Sequence, residues 1–100
     1  MEGKEGGNPT VRRRARVFGR VQGVGFRFFC RDSAQARNLC GWVRNCSDGS
    51  VELEAEGEEE SVEGFLRQMR QGPPGARVER MESLPVKPKN DASDGFDIRF

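Results

Sequence analysis

The residues able to do chemistry are concentrated in one short stretch, Gly19-Arg20-Val21-Gln22-Gly23-Val24-Gly25-Phe26-Arg27. Gly23 and Gly25 let the backbone turn sharply and aim successive N–H groups inward, and a helix starting behind them adds unsatisfied donors and the positive end of its dipole. Arg27 adds a permanent positive charge at the mouth. The chemistry expected of such a stretch is the cradling of a phosphate-like anion.

Spacing excludes several phosphate chemistries. The chain has no Gly-x-x-x-x-Gly-Lys, and Phe28 stands where a dinucleotide-binding turn built on Gly23 and Gly25 needs its third glycine. None of Cys30, Cys40 and Cys46 has an arginine six residues later, as a thiolate phosphatase would want, and the chain has no histidine to act as a phosphoryl carrier or to assist a serine. With neither histidine nor Cys-x-x-Cys there is no recognisable zinc or haem site, and no metal or cofactor is expected. An arginine cradle without a nucleophile suits a reaction in which the protein positions and neutralises while water attacks. Such a reaction needs a good leaving group, and a carboxylic–phosphoric mixed anhydride has one.

The elements that must hold the cradle follow from periodicity. From about Arg13 to Val21, Ala15, Val17 and Val21 fall on one side and Arg14, Arg16, Phe18 and Arg20 on the other, the period of a strand. After the glycine turn, Phe26, Phe29, Cys30, Ser33 and Ala34 recur at helical spacing, predicting a helix to about Asn38, which tolerates the left-handed conformation of a helix stop. Trp42 to Asn45 reads as a second strand, and Ser47-Asp48-Gly49-Ser50 as a turn. Val51, Leu53 and Ala55 then alternate with Glu52, Glu54 and Glu56, predicting a third strand with one apolar and one acidic face.

Glu58-Glu59-Glu60 reads as a helix start rather than an acidic interaction run, because negative charge there complements the helix dipole. Val62, Phe65, Leu66 and Met69 supply the apolar stripe of that helix, and Gly72-Pro73-Pro74-Gly75 stops it. A fourth strand is expected from Arg77 to about Leu84, then a polar loop with Pro85 and Pro88, and a last strand in Gly95 to Phe100. The order βαββαβ with a short extra strand is the ferredoxin-like split βαβ sandwich, an α+β fold with an antiparallel sheet and two helices on one face. That topology serves many unrelated functions and assigns none.

Length and composition set the frame. One hundred residues with 34% apolar content support one modest core, so residues 1–10 are expected to be a disordered tail and residues 11–100 a single domain. No apolar run approaches a membrane span, and three cysteines do not form an even disulfide framework, so a cytoplasmic, monomeric protein is expected. The net charge of +1 hides an asymmetry: residues 1–50 carry ten Lys/Arg against four Asp/Glu, and residues 51–100 carry seven against twelve. The basic half holds the glycine turn and would draw anions to it.

Three blocks together carry a resemblance: Gly19 to Arg27 as given above, then Gly41-Trp42-Val43-Arg44-Asn45-x-x-Asp48-Gly49, then Gly72-Pro73-Pro74-Gly75-Ala76-Arg77-Val78. In that order and separation they resemble the acylphosphatase family, from about Val11 onward. The resemblance implies hydrolysis of an acyl phosphate to a carboxylate and inorganic phosphate, with neither metal nor covalent intermediate. It implies that Arg27 binds the phosphate with the amides of Gln22, Gly23, Val24, Gly25 and Phe26, and that Asn45 orients the attacking water. Arginine can grip two phosphate oxygens at once, and a carboxamide can place a water without being a base.

Plainer readings apply to the remaining residues. Arg16, Arg20 and Arg44 read as ion-paired or solvated, Trp42 as a core or sheet-packing residue, and Phe18, Phe26, Phe28 and Phe29 as packing. Two other functions are open to this topology. One is a non-catalytic phosphate- or carbamoyl-phosphate-binding module. The other is a sheet-face RNA binder, suggested by the aromatics around Gly25-Phe26-Arg27-Phe28-Phe29, but these cross a turn into a helix instead of lying on a central strand, so no nucleic-acid partner is expected.

Overall fold

The computed structural model describes residues 9–90 and 95–100. Residues 1–8, most of the expected tail, lie outside them. The chain runs β1 (Thr10–Arg20), α1 (Phe26–Ala36), β2 (Cys40–Asn45), β3 (Val51–Glu58), α2 (Glu59–Gln71), β4 (Arg77–Val86) and β5 (Phe96–Arg99). The five strands form one sheet in the order β4-β1-β3-β2-β5. This is the ferredoxin-like α+β arrangement. The four strands β4, β1, β3 and β2 pair antiparallel as expected, while β5 joins the β2 edge in parallel, so the sheet is mixed there.

One sheet face is covered by both helices. Ala15 and Val17 of β1, Val43 of β2 and Val51, Leu53 and Ala55 of β3 are buried together with Phe26, Cys30 and Ala34 of α1 and Val62, Phe65, Leu66 and Met69 of α2. The buried side chains of α2 are the i, i+3, i+4, i+7 stripe of the sequence, with Gly64 buried beside them, and burying a side chain such as Phe65 stabilises by roughly 1.5–3 kcal/mol. Helix α1 ends as its sequence suggests, with Asn38 left-handed at φ 58°. Glu59 and Glu60 occupy the first turn of α2, which has no side-chain cap, so the dipole is complemented by charge alone.

Two details differ from expectation. Strand β4 continues past Leu84 through Pro85 to Val86, with Pro85 opposite Arg13. An edge strand tolerates proline because one row of its backbone groups faces away from any partner, and β4 is such an edge. Inside α2, Gly64 costs up to about 1 kcal/mol relative to alanine. Its bare backbone is covered by Arg37, whose Nη1 would lie 2.4 Å from a Cβ placed there.

Among the described residues the second sheet face carries no helix, and the expected acidic face of β3 is not a solvated one. Glu52, Glu54 and Glu56 are 7%, 2% and 3% exposed. The register explains this, since Arg16, Arg14 and Arg12 of β1 lie opposite Glu52, Glu54 and Glu56, and Arg44 of β2 lies opposite Glu52. Arg12 Nε is 2.6 Å from Glu54 and its Nη1 is 3.0 Å from Glu56, while Arg14 Nε is 2.7 Å from the other oxygen of Glu54. The backbone N–H groups of Lys89 and Asn90 donate to Glu56 at 2.8 and 2.9 Å, closing that end of the ladder.

Candidate active site

The cradle lies between the end of β1 and the start of α1. Val21, fully buried, anchors the loop to the core, and the chain then passes through Gly23 and Gly25 at φ 76° and 77° before α1 begins. Both values belong to the left-handed region where glycine is unstrained. A Cβ at either position would meet nothing within 4 Å, so conformation rather than crowding requires glycine, and the space above the loop is open. Gly25 is the N-cap of α1 and offers no side-chain cap, which leaves the first N–H groups of the helix without a side-chain acceptor.

Asn45 reaches the same end of the molecule through the sheet. Val51 of β3 pairs with Val17 on one side and with Asn45 on the other, so the last residue of β2 is level with the last turns of β1. A side chain then ties the two loops. Gln22 Nε2 donates to the carbonyls of Cys46 and Ser50 at 2.8 and 2.9 Å, joining the cradle to the β2–β3 hairpin at the residue next to Asn45. Those carbonyls already accept within the hairpin, from Gly49 N–H at 3.1 Å and Cys46 N–H at 2.8 Å. The hairpin is thus closed without Gln22, and the carboxamide adds only the link. Asp48 shapes the same turn by accepting from the Ser50 hydroxyl and N–H, hydrogen bonds that lower its pKa.

Arg27, the second residue of α1, is held from β5. Its Nη1 donates to the Arg99 carbonyl at 3.2 Å, and its guanidinium lies 4.7 Å from the centre of the Phe100 ring. Neither partner is a carboxylate, Arg27 makes no ion pair among the described residues, and a guanidinium with five N–H donors has others to offer. The three predicted parts of the site, loop, arginine and asparagine, are therefore brought to one end of the sheet by α1, β5 and the β2–β3 hairpin.

A family model described as acylphosphatase matches residues 13–98. The chain belongs to the acylphosphatase family. It is 47% identical over 91 residues to an acylphosphatase of Synechococcus sp. (strain RCC307), covering 91% of this chain and 76% of that one. The crystal structure of acylphosphatase from Bacillus subtilis superposes with a TM-score of 0.85 at 37% identity, covering 90% of this chain and 99% of that one. The same fold occurs inside a larger protein: full-length HypF, in a phosphate- and nucleotide-bound form, matches with a TM-score of 0.83 at 31% identity over 97% of this chain but only 13% of its own length. The chain is an acylphosphatase, a hydrolase of small-molecule acyl phosphates.

In this acylphosphatase the three arginines around the site, expected to be ion-paired or solvated, divide into two that are ion-paired and one that is exposed. Arg44 lies 2.6 Å from Glu52, and Arg16 lies 3.4 Å from Glu52 and 3.6 Å from Asp48. Burial pushes the Glu52 carboxyl up, but the two arginines hold it below its ordinary value. Arg20 is exposed and makes no ion pair among the described residues. Trp42 packs on the open sheet face, not in the core, with the guanidinium of Arg99 4.6 Å from its ring centre. Phe26 and Phe29 pack together near the start of α1, whereas Phe28 is half exposed beside Arg31. A recess of about 410 Å³ lined by Arg16, Arg44, Asn45, Cys46, Ser47 and Asp48 opens beside the hairpin.

The carboxamide of Gln22 is the contribution that sequence reasoning missed. The sequence assigns Gln22 a role through its backbone amide alone, and its side-chain partners are 24 and 28 residues away, beyond any local pattern.

Proposed function

We propose that the phosphoryl group of the acyl phosphate sits among the N–H groups of Gln22 to Phe26 with Arg27 gripping its oxygens, while Asn45 orients the attacking water. The observation that supports this most directly is the pair of hydrogen bonds from Gln22, which tie the cradle to the hairpin that carries Asn45. Water attacks phosphorus, the P–O bond to the acyl group breaks, and a carboxylate leaves. A carboxylate is stable at neutral pH without a proton, so no general acid is needed at the leaving oxygen. The loop amides, the α1 dipole and Arg27 stabilise the charge that spreads over the phosphoryl oxygens. Neither a metal nor a covalent intermediate enters this scheme.

The recess beside Asn45 supports an acyl group that leaves the cradle towards solvent, with room for acetyl, carbamoyl or larger groups. Residues 11–100 are the unit that carries the activity in this reading, acting as a monomer in the cytoplasm and not on nucleic acid. Among the described residues no helix is long and apolar enough to cross a membrane.

The test is benzoyl phosphate hydrolysis with a chelator present. Arg27→Gln is expected to lose most inhibition by inorganic phosphate along with activity. Asn45→Ala should lower kcat by about 10²–10³-fold while phosphate still inhibits. Wild-type turnover by Asn45→Ala would remove its water-positioning role. Slow turnover by the unmodified protein, with tight binding of carbamoyl phosphate, would favour the binding-module alternative that the fold's occurrence inside HypF keeps in view.

A further inference from the structure

The helix layer carries a second group of arginines that lack a direct carboxylate partner among the described residues. Arg37, Arg67 and Arg70 line a recess of about 420 Å³ together with Gly64, Gln68 and Gln71. Among the described residues none of these three arginines makes an ion pair. Glu63 stands one turn before Arg67, the usual place for a helical ion pair, but its carboxylate lies 3.5 Å from Arg13 of β1 instead. Glu59 is likewise turned to Arg13, at 3.7 Å. Arg70, in the last turn of α2, also complements the helix dipole. Arg37, the C-cap of α1, stands at the C-terminal end of that helix in the same way.

The position of Arg37 is built into α2. A Cβ at Gly64 would come within 2.4 Å of Arg37 Nη1 and 2.8 Å of its Cζ, so the guanidinium occupies the space that any other residue would fill. Gln68 Oε1 accepts from Arg37 Nε at 3.1 Å and fixes the direction of the fork. A helix-weakening glycine and a carboxamide on the next turn thus combine to seat the Arg37 guanidinium in the recess that Arg67 and Arg70 also line.

We propose that this recess is a second anion site, separate from the cradle, for a small ligand bearing two or more adjacent phosphate groups. Guanidinium forks hold phosphate oxygens in pairs, and the carboxamides of Gln68 and Gln71 add uncharged donors. Three cations are balanced by a diphosphate better than by a single phosphate. Arg37 and Arg67 also border a neighbouring recess lined by Glu59, Glu60 and Glu63, whose carboxylates repel an anion and restrict it to the Arg70 side.

The experiment is calorimetric titration of pyrophosphate into the Arg27→Gln protein, in which the cradle is disabled, at about 0.1 M salt. One saturable site is expected, weakened roughly tenfold by Arg37→Leu or by Arg67→Leu. Gly64→Ala separates binding from folding: its melting temperature should rise, because alanine favours the helix, while its pyrophosphate affinity falls as the new Cβ displaces Arg37. In the otherwise unmodified protein, Arg37→Leu and Gly64→Ala should hydrolyse benzoyl phosphate at the original rate. Tripolyphosphate and a nucleoside diphosphate, titrated in parallel, distinguish an inorganic from a nucleotide source of the same chemistry, and saturable binding of either at the recess supports the site. Absence of saturable binding, equal affinity in the Arg37→Leu protein, or tighter binding of an oligoglutamate peptide than of pyrophosphate would each overturn the proposal.

Discussion

On β1, Arg12 is 3% exposed between Glu54 and Glu56, with both carboxylates at 2.6–3.0 Å. At the cradle, Arg27 meets a carbonyl oxygen and the face of a ring, with no ion pair among the described residues. The difference lies in what each guanidinium has left to give. A buried pair has spent its attraction on offsetting the desolvation of two charges, and its geometry is fixed by the partner. An arginine held only by neutral groups keeps its charge for a ligand, and its orientation is set in advance. The open sheet face is therefore charge used for structure, and the cradle is charge held ready.

Exchanging each of these arginines for methionine gives the largest expected contrast. Arg27→Met should lower kcat/KM for an acyl phosphate by about 10²–10³-fold with little change in melting temperature, since its partners are neutral and its hydrogen bond is exposed. Arg12→Met should do the reverse, costing about 3 kcal/mol of stability by leaving buried carboxylates short of a partner while the folded fraction turns over normally. Calorimetry and steady-state kinetics on the two proteins decide this. Equal destabilisation by both variants would show that the division between structural and functional arginines is false.

A smaller effect tests the link between the two regions. Gln22→Met keeps the length of the side chain but not its two donors, and the hairpin carbonyls it releases retain their own hydrogen bonds. We expect kcat to fall roughly tenfold, the equivalent of one lost hydrogen bond, with phosphate inhibition largely kept. In an Asn45→Ala background the same change should have almost no effect on kcat, because there is no water left to misplace. Fully additive losses would show that Gln22 acts on the fold and not through Asn45.

The parts of this site that were legible in the sequence are those governed by local rules. Gly23 and Gly25 announce a left-handed turn, the stripe from Val62 to Met69 announces a buried helix face, and alternation from Val51 to Glu56 announces a strand. What alternation does not report is the neighbour across the sheet. The glutamates of β3 read only as the acidic face of a strand until register sets Arg12, Arg14, Arg16 and Arg44 beside them. Pro85 looks like a loop residue until the topology makes β4 an edge. Asn45 resembles any strand-ending residue, and only its place in the Gly41 to Gly49 block, by likeness to a known family, singled it out.

Acid provides the finest test of the ladder. Burial pushes the carboxyls of Glu52, Glu54 and Glu56 up, yet hydrogen bonds and charge bring all three below their ordinary value: Arg44 and Arg16 for Glu52, Arg12 and Arg14 for Glu54, and Lys89 N–H, Arg12 and Asn90 N–H for Glu56. A carboxyl that titrates lower in the folded chain binds fewer protons there than in the unfolded chain. It therefore supports the fold fully above its unfolded pKa of about 4.3 and gives up that support as pH falls through the lowered folded value. Melting temperature is expected to be level between about pH 6 and 8 and to descend below about pH 4.5. The descent should be shallower in Arg12→Met, whose Glu54 and Glu56 have lost their shared guanidinium and titrate closer to the unfolded value. Asp48, lowered by Ser50 and untouched by this substitution, contributes equally to both curves. Parallel curves would place the acid sensitivity outside the Arg12 end of the ladder. In Arg27→Met the descent should match the original protein, because among the described residues no carboxylate pairs with Arg27.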